Sequence, residues 1–231
     1  MLQDIRRTLK SEGMDVQPLK RRAPYLKGYG FTPDVVFDVG VYDGTPWLYR
    51  SFPDARFVLI DPQPDCEAMV RAKGHLGDFD FHAVALGAEE GSAQLTVPST
   101  APGQGGAMAS LLERTDKLAQ TFTETESRNV PLRRLDDIAA AYPGRVGLKI
   151  DTEGFEVPIL RGAVRTLERC DFVILELSLT PRFDGVEPPS AATALLAAAG
   201  LELRDVLDTA SGPGKRAQPR HIDALFTRWT S

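Results

Sequence analysis

Two cysteines, Cys66 and Cys170, stand far apart in 231 residues and neither belongs to a CxxC pair, so a disulfide framework and a cysteine–zinc site are excluded. Histidine is as scarce, with three in the whole chain. No run approaches the roughly 20 apolar residues that a helix needs to cross a membrane. No block of one charge sign exists either: Lys+Arg 27 against Asp+Glu 32 leaves a net charge of −5, which argues against nucleic acid or an anionic membrane as partner. The opening MLQDIRRTLK has charge with no apolar stretch behind it, so no signal peptide and a cytoplasmic location are expected. What remains is ordinary globular composition, 42% hydrophobic and 26% charged, at a length that suits one large domain.

Four short apolar runs, Val35–Phe37, Phe57–Ile60, Val146–Ile150 and Phe172–Leu175, are too short for helices and alternate with helix-like stretches such as Asp65–Lys73 and Phe155–Glu168. That alternation predicts βαβ units and a parallel sheet covered on both faces. A further strand is expected over Asp80–Leu86, a short one over Ala93–Val97, and helices over Leu111–Lys117 and Ala191–Ala199. At the C-terminal end, Leu201–Leu207 and Ile222–Trp229 flank a turn-rich SGPGKRAQPR and read as an antiparallel hairpin closing the sheet. Residues 1–33 form a helical lead-in to one domain over 1–231, and 98–130 read as a variable insertion. Its start, PSTAPGQGGAMA, carries too much Pro and Gly for a regular element and reads as a mobile surface loop or as a lid over a ligand.

An acid follows each buried run: Asp38, Asp61, Asp151 and Glu176. Parallel strands point the same way, so these carboxylates gather at the sheet edge where open α/β folds bind ligands. Residues 38–45, DVGVYDGT, lack the GxGxxG that seats a pyrophosphate on a helix N-terminus. Their acid and GxxxG spacing suit a ligand with an ammonium group and no phosphate, with Thr45 as helix cap and Pro46 in the first turn. An acid after the second strand, Asp61, can accept both hydroxyls of a ribose. An aminoacyl-like tail joined to a nucleoside is S-adenosylmethionine.

VVFDVGVYDGT, FVLIDPQPD, FHAVALGAEEGSAQL, VPLRRLDDI and above all GLKIDTEGFEVPILRGA resemble the successive blocks of FkbM-type methyltransferases, from about Asp34 to Leu177, with HIDALFTR similar to the family's last strand. The resemblance implies a class I, Rossmann-like α/β methyltransferase sandwich whose mostly parallel seven-stranded sheet has an antiparallel last strand. It also implies O-methylation from S-adenosylmethionine of a small-molecule, sugar or glycan hydroxyl. Many members carry Asn where this chain has Tyr42, and Glu where it has Asp61.

The cofactor-binding candidates are Asp38, Gly40, Tyr42, Asp43, Gly44, Asp61, Pro62 and, by its position after the third strand, Ala85. Asp151 is the first candidate for base or substrate orienter, followed by Glu153 and Glu176, with Lys149 on the same strand parity as Asp151. Lys149 can instead lie along the sheet with its amine in solvent. Glu153 and Glu156 can instead serve the first turn of the following helix. Ser110 is a substrate contact or a helix cap. Asp151, Glu153 and Glu176 could hold Mg²⁺, which prefers oxygen ligands, but no spacing supports a metal. His82 and His221 read as structural, Arg161-Gly162-Ala163 as close helix packing, and Lys215, Arg216 and Arg220 as solvated surface. Two rivals stand beside methyl transfer: a nucleotide-dependent oxidoreductase, and a binding module that holds the cofactor without turnover.

Overall fold

The computed structural model describes residues 2–14, 18–101, 104–115, 117–211 and 219–229. Helices α1 (Leu2–Ser11) and α2 (Ala23–Lys27) lead into β1 (Val35–Val39), α3 (Pro46–Ser51), β2 (Arg56–Ile60), α4 (Asp65–Lys73) and β3 (Asp80–His82). Then come β4 (Ala85–Leu86), β5 (Gly91–Ala101), β6 (Gln104–Gly105), a 3₁₀ turn (Lys117–Thr121) and β7 (Glu124–Arg133). The chain continues through α5 (Leu135–Ala139), β8 (Val146–Ile150), α6 (Glu156–Arg161), α7 (Val164–Leu167) and β9 (Cys170–Ser178). It closes with α8 (Pro189–Ala198), β10 (Leu201–Ser211) and β11 (Pro219–Arg228).

Seven strands form one sheet in the order β10-β11-β9-β8-β1-β2-β3. β1, β2, β3, β8 and β9 pair in parallel, and β11 runs antiparallel to both β9 and β10. This is the expected class I sandwich with its reversed last strand. β1 connects forward to β2 on one side and pairs with β8 on the other, so the strand order reverses there and a crevice opens at their carboxyl ends.

Strand alternation divides the core. Val35, Phe37, Leu148, Ile150 and Val173 pack with α5–α8 on one face, while Val36, Phe57, Leu59, Phe172 and Ile174 pack with α2–α4 on the other. Along this second face the apolar rows end in charge at the carboxyl edge: Val36 is followed by Asp38, Gly147 by Lys149, Ile174 by Glu176. Gly147 gives up its side-chain volume to Phe172, whose ring lies 2.4 Å from where a Cβ would stand.

Several expectations are corrected. Asp80–Leu86 is two strands: β3 joins the main sheet, whereas β4 pairs with β7 in a second sheet of order β4-β7-β5-β6. The start of the insertion is not a loop, since β5 runs through Pro98–Ser99 to Ala101 and turns back as β6. The end of the same insertion is a strand too: β7 starts at Glu124, runs past residue 130 to Arg133, and pairs with Gly91–Ser99 of β5. Leu111–Thr115 is not a helix but a bent segment with Arg114 bridged to Phe183. The helix expected over Phe155–Glu168 breaks at Gly162, where a Cβ would lie 2.0 Å from the Gly87 carbonyl oxygen. The close packing expected at Arg161-Gly162-Ala163 is therefore present. Asp136 caps the second piece, accepting from the backbone N–H of Arg165 and Thr166. Lys215 and Arg216 lie outside the described residues.

Candidate active site

A cavity of about 320 Å³ occupies the crevice between β1 and β8. Gly40–Trp47, Asp61–Gln63, Val84–Leu86, Gly106, Ala109–Leu111, Lys149 and Asp151–Glu153 line it, together with Arg21 and Asp223. Eleven of the thirteen residues named above as candidates thus come together: Gly40, Tyr42, Asp43, Gly44, Asp61, Pro62, Ala85, Ser110, Lys149, Asp151 and Glu153. The described lining includes neither Asp38 nor Glu176.

The turn after β1 is bent by three residues with positive φ: Gly40 (75°), Tyr42 (42°) and Gly44 (104°). Gly40 is required by a close approach, because a Cβ there would lie 1.8 Å from the backbone oxygen of Asp151. Tyr42 is a bulky residue in a left-handed conformation, at the position where FkbM-type sequences often place Asn, which adopts that region readily. Its backbone N–H donates to Asp61 Oδ2 at 2.9 Å, and Gln63 N–H donates to Asp61 Oδ1 at 2.9 Å. Those bonds hold the carboxylate at the end of β2, while burial pushes its pKa up against them. Asp43 stands at the rim in an ion pair with Lys73. Thr45 does not cap α3 through its side chain; its carbonyl accepts from Leu48 and Tyr49, and Pro46 occupies the first turn as expected.

Asp38 is fully buried under the cavity floor. Its Oδ2 accepts from Tyr49 Oη at 2.9 Å, and Lys149 Nζ lies 3.4 Å from Oδ1. Lys149, 7% exposed, also stands 3.3 Å from Asp151 Oδ2, so its amine is held among carboxylates and not out in solvent. Burial opposes the lysine charge, but Asp151, Asp38 and Asp223 outweigh it and raise its pKa. Asp151 is the accessible acid of the group, its side chain 37% exposed.

Beyond Asp151 lies a tier of paired charge. Glu153, another non-glycine at positive φ (53°), receives Arg114 at 2.5 Å and Arg182 at 3.4 Å on one oxygen. Arg182 also binds Glu176 at 2.5 Å, and His221 Nε2 lies 3.4 Å from the other Glu176 oxygen. Burial, helped by the charges of Asp151 and Glu153 and opposed by Arg182, pushes Glu176 up to about 9. Burial and Arg182 bring His221 down to about 4. Glu156 is buried, accepts from the N–H groups of Thr152 and Gly154, and thereby braces the loop after β8; burial lifts it to about 7. Ser110 caps no helix: its Oγ donates to the Glu153 carbonyl at 2.8 Å and accepts from Leu112 N–H, pinning the insertion to the loop after β8. His82 sits in β3 with Nε2 3.3 Å from Tyr142 Oη, a structural setting. Among the described residues no group of three His, Cys, Asp or Glu is arranged to hold a metal ion.

Sequence reasoning missed Asp223, Gln63, Arg21, Trp47, Arg114 and Arg182. Asp223 carried a signal, as an acid inside the apolar alternation of HIDALFTR. The others had none: Trp47 lies in the first turn of α3, and Gln63, Arg21, Arg114 and Arg182 are brought in from segments between elements.

Residues 38–226 match the model of the methyltransferase FkbM domain. The chain belongs to that family. A relative from Beauveria bassiana (strain ARSEF 2860), Methyltransferase 1, is 26% identical over 145 residues, which is 57% of each chain. A solved structure, the methyltransferase FkbM from Methylobacillus flagellatus KT, superposes with a TM-score of 0.52 at 14% identity, covering 91% of this chain and 48% of its own. The FkbM domain thus spans about half the length of the proteins it matches, and the second likeness is one of fold.

The cofactor of FkbM methyltransferases is S-adenosylmethionine, and the cavity has the donor set for it. A turn without side chains at Gly40 and Gly44 leaves backbone open to a ligand, Asp61 is fixed with lone pairs to spare for two hydroxyls, and Ala85 offers a small apolar wall. Asp38 fits differently from expectation: it holds Lys149 and Tyr49 below the floor instead of facing the cavity.

Proposed function

We propose that this domain transfers a methyl group from S-adenosylmethionine to a hydroxyl of a small-molecule or carbohydrate acceptor. The observation that carries the reading is one cavity, at the β1/β8 crevice, joining the glycine turn and Asp61 to the Lys149–Asp151 pair. The cofactor, when bound, supplies an electrophilic methyl on a sulfonium. The remaining work is orientation, and holding an oxygen in line can lower the barrier by several kcal/mol. Asp151 is the acid placed to accept the acceptor's proton at Oδ1, because Lys149 engages Oδ2 and the side chain remains reachable. Lys149, itself anchored by buried Asp38, keeps Asp151 in one rotamer. Asp61 holds the nucleoside end; Gln63 Nε2, which donates to the Gly106 carbonyl at 3.0 Å, closes the insertion over it and excludes water.

Calorimetric titration with S-adenosylhomocysteine, with NADH as control, tests the cofactor. Binding of the first alone is expected; binding of NADH alone would return the chain to the oxidoreductases. Asp151→Asn tests the base: cofactor affinity is expected to stay within about twofold while kcat falls about 10²-fold or more. An equal loss of both would make Asp151 a cofactor or structural residue, and cofactor binding with no turnover on any hydroxyl would favour the binding-module alternative.

A further inference from the structure

The cavity's polar walls account for the cofactor and the base, yet none of the features above seats an acceptor. Two of its wall residues, Arg21 and Trp47, are also walls of a separate groove of about 790 Å³ that runs between Pro18–Lys20 and Val206–Thr209 of β10. Arg21 is the partition. Its guanidinium binds Asp223 on the cavity side at 3.1 Å and Asp208 on the groove side. Asp223 belongs to the Lys149–Asp151 end of the cavity, since both it and Asp151 act on the Lys149 charge. A second groove meets the cavity through Tyr42 and Gln63 instead, which places it beside Asp61 at the nucleoside end and away from the reacting atoms.

The chemistry of the first groove selects its occupant. Each charge that walls it is already paired: Lys20 with Asp205 at 2.6 Å, Arg21 with Asp208 and Asp223. Among its described residues there is therefore no spare cation for an acid and no spare carboxylate for an amine, while paired carboxylates keep lone pairs for hydroxyl donors. Half-buried Trp47 contributes its indole to the groove wall, and Leu19, 82% exposed, adds apolar surface. An aromatic plate beside an array of charge-assisted hydrogen-bonding groups suits a rigid ring with C–H faces and hydroxyl edges.

We propose that the groove walled by Lys20, Arg21, Trp47 and Asp208 is the acceptor subsite, and that it binds a neutral, polyhydroxylated ring whose reacting hydroxyl passes Arg21 into the cavity. The inference rests on the methyl-transfer reading for what happens in the cavity. The occupancy of the groove can be measured separately.

Trp47 reports on the groove once the other tryptophan, exposed Trp229, is replaced as Trp229→Phe. That protein, saturated with S-adenosylhomocysteine, is titrated with methyl glycopyranosides and inositols, then with hydroxy acids and amino alcohols of equal size. A saturable fluorescence change from a neutral ring is expected. It should weaken about tenfold in Asp208→Asn, which removes a charged acceptor outside the cavity, while S-adenosylhomocysteine affinity stays within about twofold. No saturable response to the neutral rings, a stronger response to the acids or amines, or an unchanged affinity in Asp208→Asn would each overturn the proposal. Failure of S-adenosylhomocysteine to bind would strike the methyl-transfer reading instead, and the same titration in cofactor-free protein would still decide the groove.

Discussion

Replacing Lys149 by methionine exposes how the site is held together. The amine is 3.4 Å from Asp38, which is fully buried, and 3.3 Å from Asp151, which is not. Removing one partner of a buried ion pair typically costs about 3–5 kcal/mol, because the other charge is left without compensation. Asp151 adds little, since water reaches it, and Tyr49 still donates to Asp38, so the lower end, about 3 kcal/mol, is the expectation. In a chain of this size that is roughly 6–12 °C in Tm. Urea unfolding of Lys149→Met should move the midpoint and leave the slope unchanged. The double variant Lys149→Met/Asp38→Asn should recover at least about half the loss, since a neutral amide no longer needs the cation. A loss under about 1 kcal/mol, or strict additivity in the cycle, would refute the view that Asp38 exists to anchor Lys149.

Gly162→Ala should destabilise by about 2 kcal/mol or more in the same assay, because the new methyl meets the Gly87 carbonyl, yet leave cofactor affinity unchanged by calorimetry. Glu176 carries a pKa raised to about 9 in the fold, so the native state binds more protons than the unfolded chain above the ordinary glutamate range. Its contribution is complete at low pH and is lost as pH rises towards about 9. His221, lowered to about 4, acts in the opposite sense and costs stability as pH falls from about 6.5 towards 4. Thermal stability should therefore decline from about pH 6.5 to 9 in the native protein, and Glu176→Gln should flatten that decline and steepen the loss below about pH 6.5, where Glu176 offsets His221. Gln63→Ala removes the bond to the Gly106 carbonyl and should speed dissociation of S-adenosylhomocysteine by about tenfold in stopped flow, with little change in Tm.

The main sheet was legible because its signal is local. A buried parallel strand must be apolar on both faces, so Val146–Ile150 and Phe172–Leu175 announce themselves, and the acid after each marks the carboxyl edge. The glycine turn was equally readable, since Gly40 and Gly44 sit where side chains cannot. The second sheet was not, because β7 (ETESRNVPLR) is largely exposed and polar, and an exposed strand bears little of the hydrophobic pattern that betrays a buried one. Gly162 shows a middle case: its packing role could be guessed, but not that it splits the helix against Gly87.

The candidate site divides along the same line. Spacing and strand direction were enough to show that Asp61 and Asp151 share one crevice, and left Lys149 open between that crevice and solvent. Which of the strand-end acids line the cavity depends on contacts made in the fold. Asp38 is turned under the floor by Tyr49 and Lys149, and Glu176 is taken up by Arg182 and His221. Likewise, Arg21 from the segment before α2 and Asp223 from the last strand meet at the cavity wall across 202 positions of sequence. The physical reason is that a carboxylate's role is set by its nearest charges and by its access to water. Both are properties of neighbours that the chain brings together only by folding.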